Sequence, residues 1–130
     1  MIVIDASALL DALLPTRAVA LVEKRIFDPE ETIHAPHLLD LEITQVLRRY
    51  ERTRQVSAER CRAALQDLIE LPLIRHPHDI LLPRIWELRY CFTAYDAAYV
   101  ALAEALDAPL LTRDEHLAGT RGHHARIELV

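Results

Sequence analysis

The sequence predicts an α/β fold in which a short parallel β-sheet is covered by helices on both sides. The chain opens with a continuous apolar run, Ile2-Val3-Ile4, and short apolar segments then alternate with longer amphipathic ones. A continuous run of β-branched residues is typical of a strand buried on both faces of a parallel sheet. Strands that alternate with helices indicate βαβ units, and more residues are predicted in helices than in strands.

The first half of the chain contains two predicted strands and three predicted helices. The first strand ends at Asp5, and Pro15 ends the first helix because proline does not continue a helix. Pro36 precedes the long third helix, whose apolar side chains recur at helical spacing. The predicted strands are residues 1–4 and 31–35, and the predicted helices are residues 6–14, 17–27 and 37–54.

The second half continues the alternation with three helices and three short strands. Ser57, Asp79 and Thr93 precede the helices, and each is a residue type that caps a first helical turn. Trp86 and Tyr90 share one face of the second of these helices, and we expect both in the core rather than stacked on a ligand. The predicted helices are residues 58–71, 80–90 and 94–106, and the predicted strands are residues 73–75, 108–111 and 126–130.

Length and composition limit the class of protein. A chain of 130 residues predicts one domain over residues 1–130, and a hydrophobic share of 52% supports a sizeable core. Only 2 glycines are present, which excludes the glycine-rich loops that hold phosphates. The 2 cysteines, Cys61 and Cys91, lie far apart without a CxxC motif, so we expect neither a zinc ribbon nor a disulfide framework.

Charge and hydropathy predict a protein without a membrane span, and the lack of a disulfide framework predicts a reducing cytoplasm as its compartment. The formal net charge is -5, so a nucleic-acid function has to come from a local site rather than from a basic surface. No apolar run approaches the roughly 20 residues of a membrane span. The opening residues meet Asp5 at once and have no basic leader, so we do not expect a secretion signal.

Four carboxylates stand out by position. Asp5 and Asp114 follow predicted strands, and each could equally cap the helix that comes next. Projected as a helix, Asp96 lies on an apolar arc, where a charge is costly unless it is paired or metal-bound. Glu42 and Asp40 lie at opposite edges of the long helix's apolar stripe, and periodicity does not choose between them.

As a set, these acids predict a divalent metal site. Parallel strands end at one edge of their sheet, so Asp5 and Asp114 should lie close together there. Clustered carboxylates repel and stay ionised together only with a cation between them, and oxygen ligands suit Mg²⁺ or Mn²⁺. Such a site is able to activate water for attack on a phosphodiester.

Four motifs follow one another along the chain: Ile2-Val3-Ile4-Asp5-Ala6-Ser7-Ala8-Leu9-Leu10, Glu42 with Val46-Leu47-Arg48-Arg49, Tyr95-Asp96-Ala97-Ala98-Tyr99-Val100-Ala101-Leu102-Ala103, and Leu111-Thr112-Arg113-Asp114-Glu115-His116-Leu117. Together they resemble the PIN-domain nucleases and, within them, the VapC toxins of bacterial and archaeal VapBC toxin–antitoxin pairs. The resemblance covers nearly the whole chain and implies a PIN-like three-layer α/β fold.

The resemblance also implies a site and an activity. It implies that Asp5, Glu42, Asp96 and Asp114 form a catalytic, Mg²⁺- or Mn²⁺-binding centre, with Glu42 in place of Asp40, and that the hydroxyls of Ser7 and Thr112 support the acids. It implies an endoribonuclease toxin with RNA as substrate, a cognate VapB-type antitoxin, and a homodimer that meets DNA only through the antitoxin.

Three other features have both functional and structural interpretations. Arg113 stands beside Asp114 and is the better RNA-contact candidate, whereas the arginines at 48, 49, 52, 54, 60 and 62 are more typical of a solvated helix end. The histidines at 76, 78, 123 and 124 lack zinc-like spacing, and we expect them in loops or on the surface. The apolar segments 9–14 and 19–26 are predicted to offer a groove to an antitoxin.

An RNA-cleaving toxin has two alternatives. A phosphotransfer domain with Asp5 as acceptor needs a site lysine, and Lys24, the only lysine, lies in the predicted second helix. The dehalogenase-like pattern also needs an acid where Ser7 stands. The other alternative is a non-catalytic module that binds an antitoxin, regulates an operon and holds metal only for structure.

Overall fold

The computed structural model of the chain describes residues 1–14 and 20–130. Within them, five parallel strands form one sheet in the order β3-β2-β1-β4-β5. The strands are β1 Ile2–Ile4, β2 Ile33–Pro36, β3 Leu73–His76, β4 Leu110–Thr112 and β5 Ile127–Leu129. The first strand of the chain is therefore the central strand of the sheet, and β2 and β4 lie on either side of it.

Seven α-helices of the described residues pack around this sheet. They are α1 Ala6–Leu13, α2 Ala20–Ile26, α3 Leu38–Arg52, α4 Ala58–Glu70, α5 Leu82–Glu87, α6 Ala94–Leu106 and α7 Glu115–Gly119. The predicted α/β class with a short parallel sheet is confirmed. The start of the predicted helix over 17–27, including Val19, lies outside the described residues, whereas Ala20–Ile26 is helical as expected.

The core explains why β1 and α6 are apolar along their whole length. All three residues of β1 have no exposed surface, because neighbouring strands and covering helices enclose the strand. Seven consecutive residues of α6, from Ala97 to Ala103, are buried, so this helix is enclosed nearly all round. The small alanine side chains allow α6 to pack against β1, β2 and β4 at once. Its first turn is thereby fixed next to the ends of those strands.

The segment between β3 and α6 differs from its prediction. In place of one helix over 80–90, a 3₁₀ turn at Asp79–Leu81 leads into the short α5. The prediction that Trp86 and Tyr90 belong to the core is wrong, since their exposed fractions are 66% and 85%. The buried face of this segment is formed by Leu81, Ile85 and Leu88 instead. Arg89 covers both aromatic rings from outside, with its guanidinium 4.4 Å from each ring centroid.

Within residues 1–14 and 20–130, no helix is both long and apolar enough to cross a bilayer.

Candidate acidic site

Asp5 and Asp114 lie at the same edge of the sheet. Asp5 follows β1 and Asp114 follows β4, and these parallel strands pair directly through Val3–Leu110 and Ile4–Leu111. Each acid also caps a helix. Asp5 Oδ1 accepts the Ala8 N–H of α1 at 2.9 Å, and Asp114 Oδ1 accepts the first N–H groups of α7 at 2.8 and 3.1 Å.

Two hydroxyl groups orient the Asp5 carboxylate. Ser7 Oγ donates to Asp5 Oδ1 at 2.7 Å, and the fully buried Thr112 hydroxyl donates to Asp5 Oδ2. Asp5 itself is only 6% exposed, so these donors compensate a carboxylate that has lost most of its water. The arrangement supports the roles that the resemblance implied for Ser7 and Thr112.

The same hydroxyls connect Asp5 to the loop that carries Asp114. The Arg113 backbone N–H donates to Ser7 Oγ at 2.9 Å, and the Asp114 backbone N–H donates to Thr112 Oγ1 at 2.9 Å. Ser7 and Thr112 lie 3.4 Å apart, oxygen to oxygen. The positions of the two acids are therefore coupled through one continuous hydrogen-bond network.

The structure decides between the two acids at the start of α3. Asp40 is bound by both sides of the Arg75 guanidinium, at 2.7 and 3.0 Å, and so anchors α3 to β3. Glu42 forms no ion pair among the described residues, and its Oε1 accepts a 2.7 Å hydrogen bond from the buried Tyr99 hydroxyl. This assigns Glu42, and not Asp40, to the acidic group.

Asp96 lies in the first turn of α6, half-buried rather than fully in the core. Thr93 caps this helix by accepting the Asp96 backbone N–H at 3.2 Å. The acid therefore occupies a helix start where the peptide dipoles favour a negative charge.

The pKa values of three acids report how the four interact. Burial raises the pKa of Asp5, and the nearby charge of Asp114 raises it further against the lowering effect of its hydrogen bonds. Burial also raises the pKa of Glu42, with added contributions from Asp96 and Asp5. Asp96 follows the same pattern, since burial and then the charges of Asp114 and Asp5 raise its pKa. The four acids thus form one mutually repelling group.

This group fits a hard divalent cation with a partly hydrated shell. In the part of the chain that the structure describes, no three Asp, Glu, His or Cys side chains are close enough together to hold a metal ion between them. Mg²⁺ does not need three such ligands, because it is held by one or two carboxylates and keeps several waters. The donors are all oxygens, and Oδ2 of Asp114 and Oε2 of Glu42 receive no hydrogen bond from the described residues.

Comparison with known proteins identifies the family of this chain. The family model described as "PIN domain" matches residues 2–122. The chain belongs to the PIN-domain family. It is 46% identical over 129 residues to "Ribonuclease VapC1" of Mycobacterium tuberculosis, covering 98% of this chain and 96% of that protein. It is 40% identical over 130 residues to "Ribonuclease VapC12" of the same organism, covering 100% of this chain and 99% of that protein. The predicted resemblance to VapC-type PIN domains is confirmed.

Two solved structures share the fold of this chain. The crystal structure of PAE2754 from Pyrobaculum aerophilum has a TM-score of 0.68 and 26% identity, covering 96% of this chain and 81% of that one. The structure of Mycobacterium tuberculosis VapC20, described as a "Sarcin-Ricin loop cleaving toxin", also has a TM-score of 0.68. The VapC20 structure is 13% identical in sequence and covers 93% of this chain and 97% of its own. At that level of identity the similarity concerns the fold alone.

Arg113 of this PIN domain has a partner that the sequence did not indicate. Its guanidinium forms an ion pair with Asp11 of α1, while its backbone N–H binds Ser7. The RNA-contact role predicted for Arg113 stays a prediction, and the ion pair gives it a structural function as well. Among the other arginines, Arg60 donates to the Leu13 carbonyl oxygen at 2.6 Å, and the rest of the predicted group is exposed: Arg48, Arg49, Arg52, Arg54 and Arg62.

The histidines of this PIN domain also pair in ways that the sequence did not predict. His76 is the last residue of β3 and is half-buried. Its Nε2 lies 2.9 Å from Nδ1 of the buried His34 on the neighbouring strand β2. Burial and His76 lower the pKa of His34. His78 accepts the Leu38 backbone N–H at 3.1 Å. His76, at the end of β3, and His78, in the turn that follows it, therefore hold the β2–α3 connection in place, whereas His123 and His124 lie in the loop before β5 as predicted.

Proposed function

We propose that this PIN-domain protein is a metal-dependent endoribonuclease and the toxin of a type II toxin–antitoxin pair. The observation that carries the proposal is the group of four acids at one sheet edge, in which Asp5, Glu42 and Asp96 all have raised pKa values. An unneutralised group of this kind costs stability, and a divalent cation relieves that cost. The names of the VapC relatives, which are ribonucleases, support RNA as the substrate.

The residues of the proposed catalytic group have different roles. One or two of the carboxylates of Asp5, Glu42, Asp96 and Asp114 would bind the cation directly and the others through its water shell, and the cation would supply positive charge for activating water and for stabilising a phosphodiester under attack. Ser7 and Thr112 hold Asp5 in one orientation and keep the Asp114 loop beside it. The fixed geometry spares the site the cost of ordering these side chains when RNA binds.

RNA turnover with purified, antitoxin-free protein tests the proposal. We expect total RNA to be cleaved in the presence of Mn²⁺ and left intact in excess chelator. Asp96→Asn should reduce cleavage by more than the roughly 10–100-fold that loss of a supporting residue costs, because it removes a ligand charge. An absence of cleavage by wild-type protein that binds Mn²⁺ would favour the non-catalytic antitoxin-binding module instead.

The proposed antitoxin would bind a groove between α1, α2 and α4. The groove encloses about 320 Å³, and its lining combines apolar side chains of α1 and α2 with Asp67 and Glu70 of α4. Phe27 lies at its margin with 69% of its surface exposed. An amphipathic antitoxin segment with basic residues would match this combination of apolar and acidic surface. Phe27→Glu should therefore prevent co-purification with a VapB-type antitoxin while the far-UV circular dichroism stays unchanged.

Self-association, the cytoplasmic location and indirect DNA contact are further parts of the proposal. Large apolar side chains are exposed on and beside α5, among them Ile80 at 70%, Leu82 at 55% and Tyr95 at 68%. We assign the homodimer contact to this surface, with a second copy of the chain as its occupant. Leu82→Glu should shift the sedimentation coefficient from dimer to monomer, and unchanged sedimentation would refute the assignment. DNA would be contacted only by the antitoxin of the complex.

A further inference from the structure

Tyr99 places a hydroxyl group at the base of the acidic group. It lies one turn after Asp96 on α6 and is 2% exposed, so its ring belongs to the core. Its hydroxyl donates to Glu42 Oε1 at 2.7 Å, across 57 residues of sequence. A buried tyrosine with its polar end in a charged site combines packing with a fixed hydrogen-bond donor.

The chemistry of the two groups gives the direction of this bond. A carboxylate only accepts hydrogen bonds, and the phenol carries the one proton available, so the Tyr99 hydroxyl donates and Glu42 Oε1 accepts.

Glu42 depends on this contact for its orientation. Its side chain is half-buried and has several rotatable bonds, and among the described residues Tyr99 is its one hydrogen-bond partner. With Oε1 occupied, Oε2 is the oxygen that stays available. A long side chain held at one oxygen presents the other in a defined direction.

We propose that Tyr99 is a positioning residue that fixes Glu42 through Oε1 and so presents Oε2 to the divalent cation. The inference rests on the proposed metal-dependent function. Tyr99 itself would not contact the substrate. Its effect passes through Glu42, in the way that outer hydrogen-bond partners orient metal ligands in other proteins.

Calorimetric titration with Mn²⁺ tests this role directly and needs no RNA. Tyr99→Phe removes one hydroxyl, and we expect it to weaken Mn²⁺ binding by about 10-fold or more. Tyr50→Phe is the matched control, because it removes a hydroxyl from α3, the helix that carries Glu42, and that hydroxyl forms no hydrogen bond with the described residues. We expect Tyr50→Phe to bind Mn²⁺ as wild type does.

Combining Tyr99→Phe with Glu42→Gln separates positioning from a general structural effect. If Tyr99 acts through Glu42, the second substitution changes Mn²⁺ affinity no further once Glu42 is replaced. An equal loss with and without Glu42 would overturn the inference. So would unchanged Mn²⁺ binding by Tyr99→Phe, which leaves the proposed function standing. Failure of wild-type protein to bind Mn²⁺ would instead overturn the proposed function, and this inference with it.

A second variant covers the case in which Tyr99→Phe does not fold. Glu42→Asp keeps the charge and shortens the side chain by one methylene, so the carboxylate no longer reaches the Tyr99 hydroxyl in its present geometry. We expect the same loss of about 10-fold or more in Mn²⁺ affinity. Wild-type affinity in Glu42→Asp would show that the contact is dispensable and would overturn the inference.

Discussion

Thr112→Val tests whether one buried hydroxyl joins the two halves of the acidic group. Thr112 has no exposed surface, and its hydroxyl donates to the Asp5 carboxylate and accepts the Asp114 backbone N–H at 2.9 Å. Valine has nearly the same shape and forms neither bond. Both partners would lose their hydrogen bond in a place that water does not readily reach.

The expected loss follows from the two bonds. A hydrogen bond to a charged group contributes about 1.5–3 kcal/mol and a neutral one about 0.5–1.5 kcal/mol, so the free energy of unfolding should fall by about 2–4 kcal/mol. For a chain of this length, that loss corresponds to a decrease of roughly 10 °C in Tm. Mn²⁺ affinity should also fall by about 10-fold or more, because Asp5 loses the donor that orients its Oδ2.

Urea unfolding and Mn²⁺ calorimetry on the same samples measure both effects. Thr44→Val is the matched control, because the Thr44 hydroxyl bonds only the Asp40 carbonyl on an exposed helix face. We expect that control to change the free energy of unfolding by less than about 0.5 kcal/mol. A loss below that value for Thr112→Val, with unchanged Mn²⁺ affinity, would refute the coupling of the two acids through Thr112.

Three further outcomes are expected. Burial and the charges of Asp114 and Asp5 raise the pKa of Asp96 above 3.8 in the folded state, so ionising this side chain destabilises the metal-free fold as pH rises through that raised pKa. Asp96→Asn should therefore be more stable than wild type at neutral pH in urea unfolding, and the difference should shrink as pH falls towards about 4. Arg113→Ala should weaken RNA binding more than Mn²⁺ binding, and equal losses would contradict its RNA-contact role. Gly122→Ala should cost about 1–3 kcal/mol, because φ is +94° and the new Cβ would meet a cysteine sulfur at 2.8 Å, whereas Gly119→Ala meets nothing within 4 Å.

The fold and the neighbouring positions of Asp5 and Asp114 were predictable because they depend on local sequence pattern and on the geometry of parallel strands. A strand buried on both faces is apolar throughout, and β1 ends where the first charge, Asp5, appears. Parallel strands bring their carboxyl ends to one edge, which is why Asp5 and Asp114 lie near each other although β1 opens the chain and β4 lies near its end. For these features, local pattern and topology suffice.

What sequence reasoning missed depends on partners that are distant in the chain. Tyr99 has the pattern of a core residue and is one, and nothing local reveals that its hydroxyl reaches Glu42 on another helix. The choice between Asp40 and Glu42 depends on Arg75, which follows Asp40 by 35 residues. The i, i+3 spacing of Asp96 and Tyr99 was the one available signal, because it places both on the same side of α6.

Trp86, in α5, and Tyr90, just after that helix, were wrongly predicted to lie in the core. Trp86 and Tyr90 have the spacing of a helical face, so hydrophobicity alone assigns them to the core. The helix ends at Glu87, however, and Leu81, Ile85 and Leu88 already fill the space beneath it. The stacked guanidinium of Arg89 then covers part of the exposed rings. Periodicity identified a shared face here without indicating which face is buried.

Asp114 shows that a helix cap and a metal ligand are compatible roles of one carboxylate. Its Oδ1 accepts two N–H groups of α7, and its Oδ2 receives no hydrogen bond from the described residues. Serine caps helices as well as aspartate does but has no second oxygen and no charge. Asp114→Ser should therefore keep the free energy of unfolding within about 0.5 kcal/mol of wild type, while Asp114→Ala loses about 1 kcal/mol with the cap. Both should lose Mn²⁺ affinity alike in calorimetry, and full Mn²⁺ affinity in Asp114→Ser would mean that capping is the only role of this acid.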